Sequence, residues 1–254
     1  MERRTFSRDG LRFSYLDSGG KGRPLVALHA HIMEALTFAP LAARLAPEWR
    51  LIALDQRGHG HSDHAASYAR ADYLQDLEAF FDHLDLNDAV LLGNSLGGIN
   101  AYQFAARHPE KVRGLIIEDI GVVLDDEPTF VLAWEGEFPT REALAERIGP
   151  RFAPYLEDSF RKTPTGWKLA FEPQEIVASG RCTSGDHWDD WLATDCPALL
   201  LRGQDSKVTT QNECEQMASR RPNTRLKTLN GGHILHMEDP IAFHCAVRKF
   251  LQEL

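Results

Sequence analysis

The chain has 254 residues, 43% of them hydrophobic, which is enough for one large α/β domain or for a domain with an insertion. Its 28 Lys and Arg against 37 Asp and Glu give a formal charge of −9, so we expect neither nucleic acid nor an anionic membrane as a partner. The four cysteines are widely spaced, which disfavours a zinc knuckle or a disulfide scaffold and fits a reducing compartment. Because no long apolar run and no lipidation motif occurs, we expect a soluble, cytoplasmic protein.

The first elements predict an antiparallel start. Strand patterns over Arg3–Ser7 and Leu11–Asp17 flank the dipeptide Asp9-Gly10, which is a strong signal for a tight hairpin turn. Apolar residues alternate along the second of these patterns, as in a strand that is buried on one face.

Short, continuously apolar runs follow, and such runs are typical of parallel strands buried on both faces. They are Leu25–Leu28, Leu51–Leu54, Ala89–Leu92, Leu115–Ile117 and Leu199–Leu201, and a further strand pattern covers Thr224–Leu229. Helical patterns lie between them, at Leu41–Leu45, Tyr73–Leu84, Ile99–Arg107, Cys214–Ala218 and from Asp239 to the end. This alternation predicts an α/β fold with a mostly parallel, twisted sheet of about eight strands, flanked by helices.

The alternation stops between residues 121 and 195. This segment has no convincing buried strand and contains four of the five tryptophans. We therefore predict that residues 1–120 and 196–254 form the core and that 121–195 form a helical cap or lid packed on it.

Two motifs compete to carry the chemistry. The stretch from 59 to 64 reads HGHSDH, in which His59, His61, Asp63 and His64 offer a ligand set for zinc. The stretch Gly93–Gly98 contains G-x-S-x-G, the turn that presents a nucleophilic serine.

Context favours the serine. A strand pattern precedes Ser95 and a helix pattern follows it, and the glycines permit a tight turn between the two. His233 follows the last strand pattern, and acids that could orient this histidine lie between Ser95 and His233 in sequence. These residues predict a nucleophile and a general base.

At this point the chain resembles the α/β-hydrolase family over nearly its whole length. The matching stretches are Leu28–His31, Asp55–Asp63, Gly93–Gly98 and Gly232–Pro240. The resemblance implies that 55–63 is a loop that shapes the site, so the histidines occupy its variable positions and the zinc motif is accidental. It also implies that the backbone N–H groups of Leu96 and His31 form the oxyanion hole. One departure is Ala30, where the family usually has glycine, and we expect strain there if the position needs a positive φ.

The acid that orients His233 has two candidates. In most family members it follows the seventh strand in a G-x-x-D pattern, but that position is Ser206 here and Asp205 lies one residue early. Some members carry the acid after the sixth strand, where Asp119 lies with Glu118 as a less favoured neighbour. We favour Asp119 over Asp205.

The resemblance implies a serine hydrolase, and we expect it to cleave small carboxylic esters without a cofactor or metal. Three aromatic residues are predicted to line the substrate pocket: Phe38, Trp134 and Phe138. Alternatives remain. One is a C–C bond hydrolase of ring-fission products on the same fold, since Asn94 before the serine occurs in some of these enzymes. Others are a zinc hydrolase that uses HxHxDH and a non-catalytic ligand-binding protein.

Overall fold

The computed structural model describes residues 1–125 and 127–254. Its centre is a sheet of eight strands. Strands pair antiparallel at β1–β2 and β2–β4 and parallel from β4 onward, in the order β1-β2-β4-β3-β5-β6-β11-β12. The predicted mostly parallel sheet with an antiparallel start is confirmed. In chain order the strands are β1 (Glu2–Arg8), β2 (Leu11–Asp17), β3 (Arg23–Leu28), β4 (Trp49–Leu54), β5 (Ala89–Asn94), β6 (Val112–Glu118), β7 (Val123–Leu124), β8 (Phe160–Lys162), β9 (Trp167–Leu169), β10 (Gly185–Asp186), β11 (Ala198–Gly203) and β12 (Thr224–Leu229).

Helices cover both faces of the sheet. They are α1 (Ala39–Leu45), α2 (Arg70–His83), α3 (Leu96–Arg107), α4 (Arg141–Ile148), α5 (Ala153–Leu156), α6 (Pro173–Thr183), α7 (Trp188–Leu192), α8 (Gln211–Arg220), α9 (Leu235–Glu238) and α10 (Pro240–Gln252). Within the described chain, none of these helices combines the length and apolar character needed to cross a membrane.

The apolar runs are explained by burial on both faces of the sheet. Along β3, Leu25 and Ala27 pack with α1 and α10, whereas Val26 and Leu28 pack with α2 and α3. Because successive side chains of a strand point to opposite faces, a strand between two helical layers needs apolar residues at every position.

The segment 121–195 leaves the sheet after β6 and returns before β11. It contains α4 to α7 and two short ribbons, β7–β10 and β8–β9. Pairs of two or three residues are too short to produce a strand pattern in the sequence. The segment has its own cluster of buried residues, but Trp191 of α7 belongs to the main core beside α3.

Candidate active site

Ser95 stands on a sharp turn between β5 and α3. Its φ of 51° and ψ of −117° are unusual for a residue with a side chain, and such strain is typical of functional turns. Two backbone hydrogen bonds fix the turn: Ser95 N–H donates to Glu118 O at 3.1 Å, and Gly98 N–H donates to Ser95 O at 2.8 Å. The structure therefore has the strand–turn–helix geometry that the motif predicts.

Glycine at position 97 allows α3 to start so close to the sheet. A Cβ atom on Gly97 would lie 2.0 Å from the backbone oxygen of Leu28 in β3, a clash that excludes any residue with a side chain. The helix that begins after Ser95 therefore packs directly on the neighbouring strand.

His233 and Asp119 form a hydrogen-bonded pair at the carboxyl edge of the sheet. His233 Nδ1 donates to Asp119 Oδ2 at 2.7 Å. The aspartate side chain is fully buried, whereas that of the histidine is 28% exposed. Within the described residues the His233 ring makes this one hydrogen bond, so Nε2 is available to take a proton.

Three further donors hold the Asp119 carboxylate. Ser206 Oγ donates to Oδ2 at 2.6 Å, Thr209 Oγ1 donates to Oδ1 at 2.8 Å, and the backbone N–H of Gly203 donates to Oδ1 at 3.2 Å. Burial acts to raise the pKa of Asp119, but the hydrogen bond and charge of His233 and the two hydroxyls outweigh it, so this pKa lies below its ordinary value. The carboxylate is therefore ionised and fixed in orientation.

Asp205, the other candidate acid, is exposed and lies in the turn after β11. Its backbone N–H donates to Gly231 O at 2.9 Å, and no hydrogen bond or ion pair joins its side chain to His233 among the described residues. The structure brings Asp119 to His233 and leaves Asp205 in a turn.

The loop after β3 carries His31, one of the two predicted oxyanion donors. The positive φ in this loop belongs to Ile32 (64°) and not to Ala30, so the condition for strain at the alanine is not met. His31 Nε2 hydrogen-bonds to Ser179 Oγ of α6 at 2.8 Å. Burial lowers the pKa of His31 to about 3, and the charge of Arg70 acts in the same direction.

Leu96, the second predicted donor, is the first residue of α3. Backbone N–H groups in the first turn of a helix have no partner within the helix and attract negative charge. This is the position that an oxyanion donor beside Ser95 requires.

His29 connects the loops that follow β3 and β4. Its Nδ1 donates to Ala30 O at 2.7 Å, and its Nε2 accepts the backbone N–H of Gln56 at 3.0 Å. The ring is fully buried, and burial lowers its pKa. His29 thus holds the two loops together beside the site.

The four residues of the HxHxDH motif do not converge on one point. His59 is fully buried and donates from Nδ1 to Arg57 O at 2.8 Å, whereas Asp63 pairs with Arg12 and His64 with Glu175. The side chain of His61 is exposed. Among the residues that the structure describes, no group of three or more such side chains is placed to hold a metal ion. The motif residues therefore do not fit a zinc site.

The three predicted pocket residues lie in different places. Phe38 is fully buried in the core, where its ring centre lies 4.7 Å from that of His236, so it does not line the cap. Phe138 pairs through its backbone with Trp167. Trp134 lines a cavity of about 210 Å³ in the 121–195 segment, together with Lys168, Leu169 and Phe171 among others.

The sequence analysis missed several residues around the pair. Ser206 was noted only as the vacant acid position, and Thr209 was not considered, yet both bind Asp119. His236 was also missed, and its ring nitrogens bind Glu118 and Thr37. The spacing of the two histidines in Gly232–Pro240 was the available signal for this second pair.

Comparison with known proteins gives the family. The model of the alpha/beta hydrolase fold family matches residues 23–240, and the chain belongs to this family. A Bacillus subtilis (strain 168) protein, provisionally named a 2-succinyl-6-hydroxy-2,4-cyclohexadiene-1-carboxylate synthase, is 28% identical over 97% of each chain. A pimeloyl-[acyl-carrier protein] methyl ester esterase of Shewanella woodyi is 32% identical over 59% of this chain and 52% of that protein.

The fold is also that of solved structures. The crystal structure of E-2-(acetamidomethylene)succinate hydrolase superposes with a TM-score of 0.90 at 22% identity, over 99% of both chains. This likeness shows the fold, whereas the family match and the named relatives make the protein a hydrolase of the alpha/beta hydrolase fold family.

Proposed function

We propose that the protein is a serine hydrolase that cleaves small carboxylic esters through an acyl-enzyme. Ser95 is the nucleophile, His233 the general base and Asp119 the acid that orients it. The observation that carries the proposal is the 2.7 Å hydrogen bond from His233 to a buried Asp119 at the sheet edge where Ser95 occupies its strained turn.

The reaction follows from these positions. Ser95 Oγ attacks the ester carbonyl carbon while His233 Nε2 takes the hydroxyl proton. The tetrahedral intermediate collapses, and the leaving alkoxide receives that proton from the imidazolium. Water, deprotonated by the same nitrogen, then attacks the acyl carbonyl carbon. The second tetrahedral intermediate expels Ser95 Oγ, which takes the proton back from the imidazolium, and the carboxylic acid is released. Asp119 remains ionised throughout and stabilises the imidazolium through Nδ1–H.

The backbone N–H groups of Leu96 and His31 hold the oxyanion. Leu96 lies at the positive end of α3, and His31 lies on the loop that follows the adjacent strand β3. Two donors placed before the reaction stabilise the charge that develops only in the transition state.

Residues 121–195 act as a cap over this site. Their buried cluster includes Ile32 and Met33 from the oxyanion loop and Ile234 from the loop of His233. The cap thus packs on both loops that carry catalytic groups. Its cavity has an apolar side, formed by Trp134, Leu169 and Phe171, that can contact an acyl chain, and a charged side with Glu137, Lys168 and Glu172.

The choice of an ester rests on chemistry and on one relative. Esters are the acyl donors that a Ser–His–Asp site cleaves most readily, and the Shewanella woodyi relative is named as a methyl ester esterase.

Labelling with a fluorophosphonate tests the proposal. Wild type should be labelled with one equivalent and should hydrolyse p-nitrophenyl esters, whereas Ser95→Ala should not label and should lose about 10⁴-fold in kcat, since triad deletions have this effect. Ser219→Ala, which removes an exposed hydroxyl on α8, should behave as wild type. An EDTA-treated sample should retain full activity. Hydrolysis that persists in Ser95→Ala or that disappears on chelation would overturn the proposal.

A further inference from the structure

A second carboxylate–imidazole pair lies directly beside the first. Glu118 immediately precedes Asp119, and His236 follows His233 by three residues. His236 Nδ1 lies 2.9 Å from both Glu118 carboxylate oxygens, and the backbone N–H of His236 donates to Oε1 at 3.0 Å. The side chain of Glu118 is 0% exposed and that of His236 is 2% exposed. Each therefore depends on the other, and not on water, for its main hydrogen bond.

The far side of the His236 ring is also fixed. Its Nε2 hydrogen-bonds to Thr37 Oγ1 at 2.7 Å, and the rings of Phe38 and Phe243 lie 4.7 and 5.8 Å away, centre to centre. Thr37 lies in the 3₁₀ helix that follows the loop of His31. With both nitrogens bonded and aromatic neighbours around it, the ring has one orientation.

Glu118 also holds the nucleophile, through its backbone. Its carbonyl oxygen accepts the N–H of Ser95 at 3.1 Å and the side-chain N–H of Asn94 at 3.2 Å. The same Asn94 nitrogen donates to His233 O at 3.0 Å. One residue at the end of β6 is therefore bonded to the serine turn by its main chain and to the histidine loop by its side chain.

The histidine loop is fixed at two points. It follows Gly231, whose φ is 110°, and leads into the four-residue helix α9. The Glu238 carboxylate accepts the N–H of Gly232 and, at 3.2 Å, that of Ile234, and the Glu118 carboxylate accepts that of His236. Glu118 therefore fixes the end of the loop that follows His233, where proton transfer requires placement to within a few tenths of an ångström.

We propose that Glu118 and His236 are positioning residues that hold His233 in line with Ser95, with Thr37 linking the pair to the oxyanion loop. This inference rests on the proposed function. Neither residue touches the substrate; both act through the backbone of residues 233–236 and through the ends of β5 and β6.

The test compares kcat per labelled active site in Glu118→Gln and His236→Phe. Glu118→Gln keeps the shape of the carboxylate, and His236→Phe keeps the ring between Phe38 and Phe243 while removing both nitrogens. Each should lower kcat by about 10- to 100-fold and change KM by less than about 3-fold, since a small misplacement of a catalytic group has effects of this size. Glu118→Gln should also change the kcat/KM–pH profile, because an amide replaces the buried carboxyl group that holds the His236 end of the histidine loop.

The matched control is another Glu–His pair, Glu78 and His108, whose Oε1 and Nε2 atoms lie 2.8 Å apart at the opposite end of α3. Glu78→Gln should leave kcat, KM and the pH profile unchanged. Counting active sites by fluorophosphonate labelling separates misplacement from a loss of folded enzyme.

Each outcome decides the proposal. If both variants keep kcat per labelled site within twofold of wild type and only their melting temperatures fall, the pair is structural and the inference is wrong. If neither variant folds, Thr37→Val decides, because it removes only the hydroxyl on His236 Nε2: an unchanged kcat and pH profile would overturn the proposal. Activity that survives in Ser95→Ala would instead refute the proposed function.

Discussion

Ser206 lies where most α/β-hydrolases carry the acid, and in this chain its hydroxyl donates to Asp119 Oδ2 at 2.6 Å. The acid can move from the end of β11 to the end of β6 because these strands are neighbours. Leu201 pairs with Glu118, and the N–H of Asp119 donates to Leu201 O at 2.8 Å. The ends of both strands therefore reach the same point beside His233. Either can supply the carboxylate, and the other then supplies a hydrogen-bond donor to it.

Asparagine substitutions separate the two candidate acids. Asp119→Asn should lower kcat by up to about 10⁴-fold, because an amide facing Nδ1 favours the wrong imidazole tautomer. Asp205→Asn, the matched control in an exposed turn, should remain within about 3-fold of wild type. The measurement is kcat on one p-nitrophenyl ester, normalised by labelled sites. The reverse ranking would return the acid to its usual place after β11.

At the scale of elements, the 121–195 segment, which we propose as a cap, packs on the loops of the candidate site. Trp134 is 5% exposed and lies in an aromatic group with Phe130 and Phe152, whose ring centres are 5.4 and 5.3 Å from its own. It also lines the cap cavity with Phe171, and the ring centre of Phe171 lies 6.3 Å from that of His59 in the loop after β4. The same tryptophan thus belongs to the cap interior and to the cavity wall.

Trp134→Phe should therefore change substrate preference with only a modest loss of stability. The smaller ring retains the aromatic contacts and enlarges the cavity, so we expect the preference among C2 to C10 acyl esters to move toward longer chains by about 3- to 10-fold in kcat/KM. Trp188→Phe, at a partly buried tryptophan of α7 outside the cavity, should leave the profile as in wild type. An unchanged profile together with a large fall in melting temperature would assign Trp134 to the cap interior alone.

The sequence predicts elements well where a periodic pattern is long. The continuous apolar runs predict the strands because those strands are buried on both faces. Asp239 and Pro240 predict the start of α10, and in the structure the Asp239 side chain is the helix N-cap, since it accepts the Ala242 N–H. The ribbons of the cap are not predictable in this way, because two or three residues carry no period.

In the candidate site, too, local features are predictable from the sequence and long-range contacts are not. The turn at Ser95 is local, so its glycines and flanking patterns predict it. The pairing of Glu118 with His236 joins residues 118 positions apart and exists only after β6, α9 and the helix of Thr37 have packed together. The sequence offers two partners for His233 for the same reason, since two strand ends reach it, although it favours Asp119.

At the scale of the whole molecule, an ion pair with a buried carboxylate joins the 121–195 segment to the core. Arg161 of β8 donates to the Glu34 carboxylate and, at 3.3 Å, to Gly60 O. Glu34 follows the oxyanion loop and its side chain is 3% exposed. Burial raises its pKa to about 7; the charge of Arg161 opposes this shift and that of Asp55 adds to it.

This pair makes stability depend on pH. Because the pKa of Glu34 is about 7 in the folded protein and 4.5 ordinarily, the folded state holds more of this proton between those values, and its stability falls as pH rises through them. The unfolding free energy of wild type minus that of Glu34→Gln should therefore fall by about 1–3 kcal/mol from pH 5 to pH 8, at 1.36 kcal/mol per pKa unit. Urea denaturation followed by circular dichroism at four pH values measures it. Glu215→Gln, at an exposed position on α8, should give a difference that does not vary with pH. A wild-type advantage that grows with pH would show that Arg161 dominates over burial and that Glu34 is ionised at little cost.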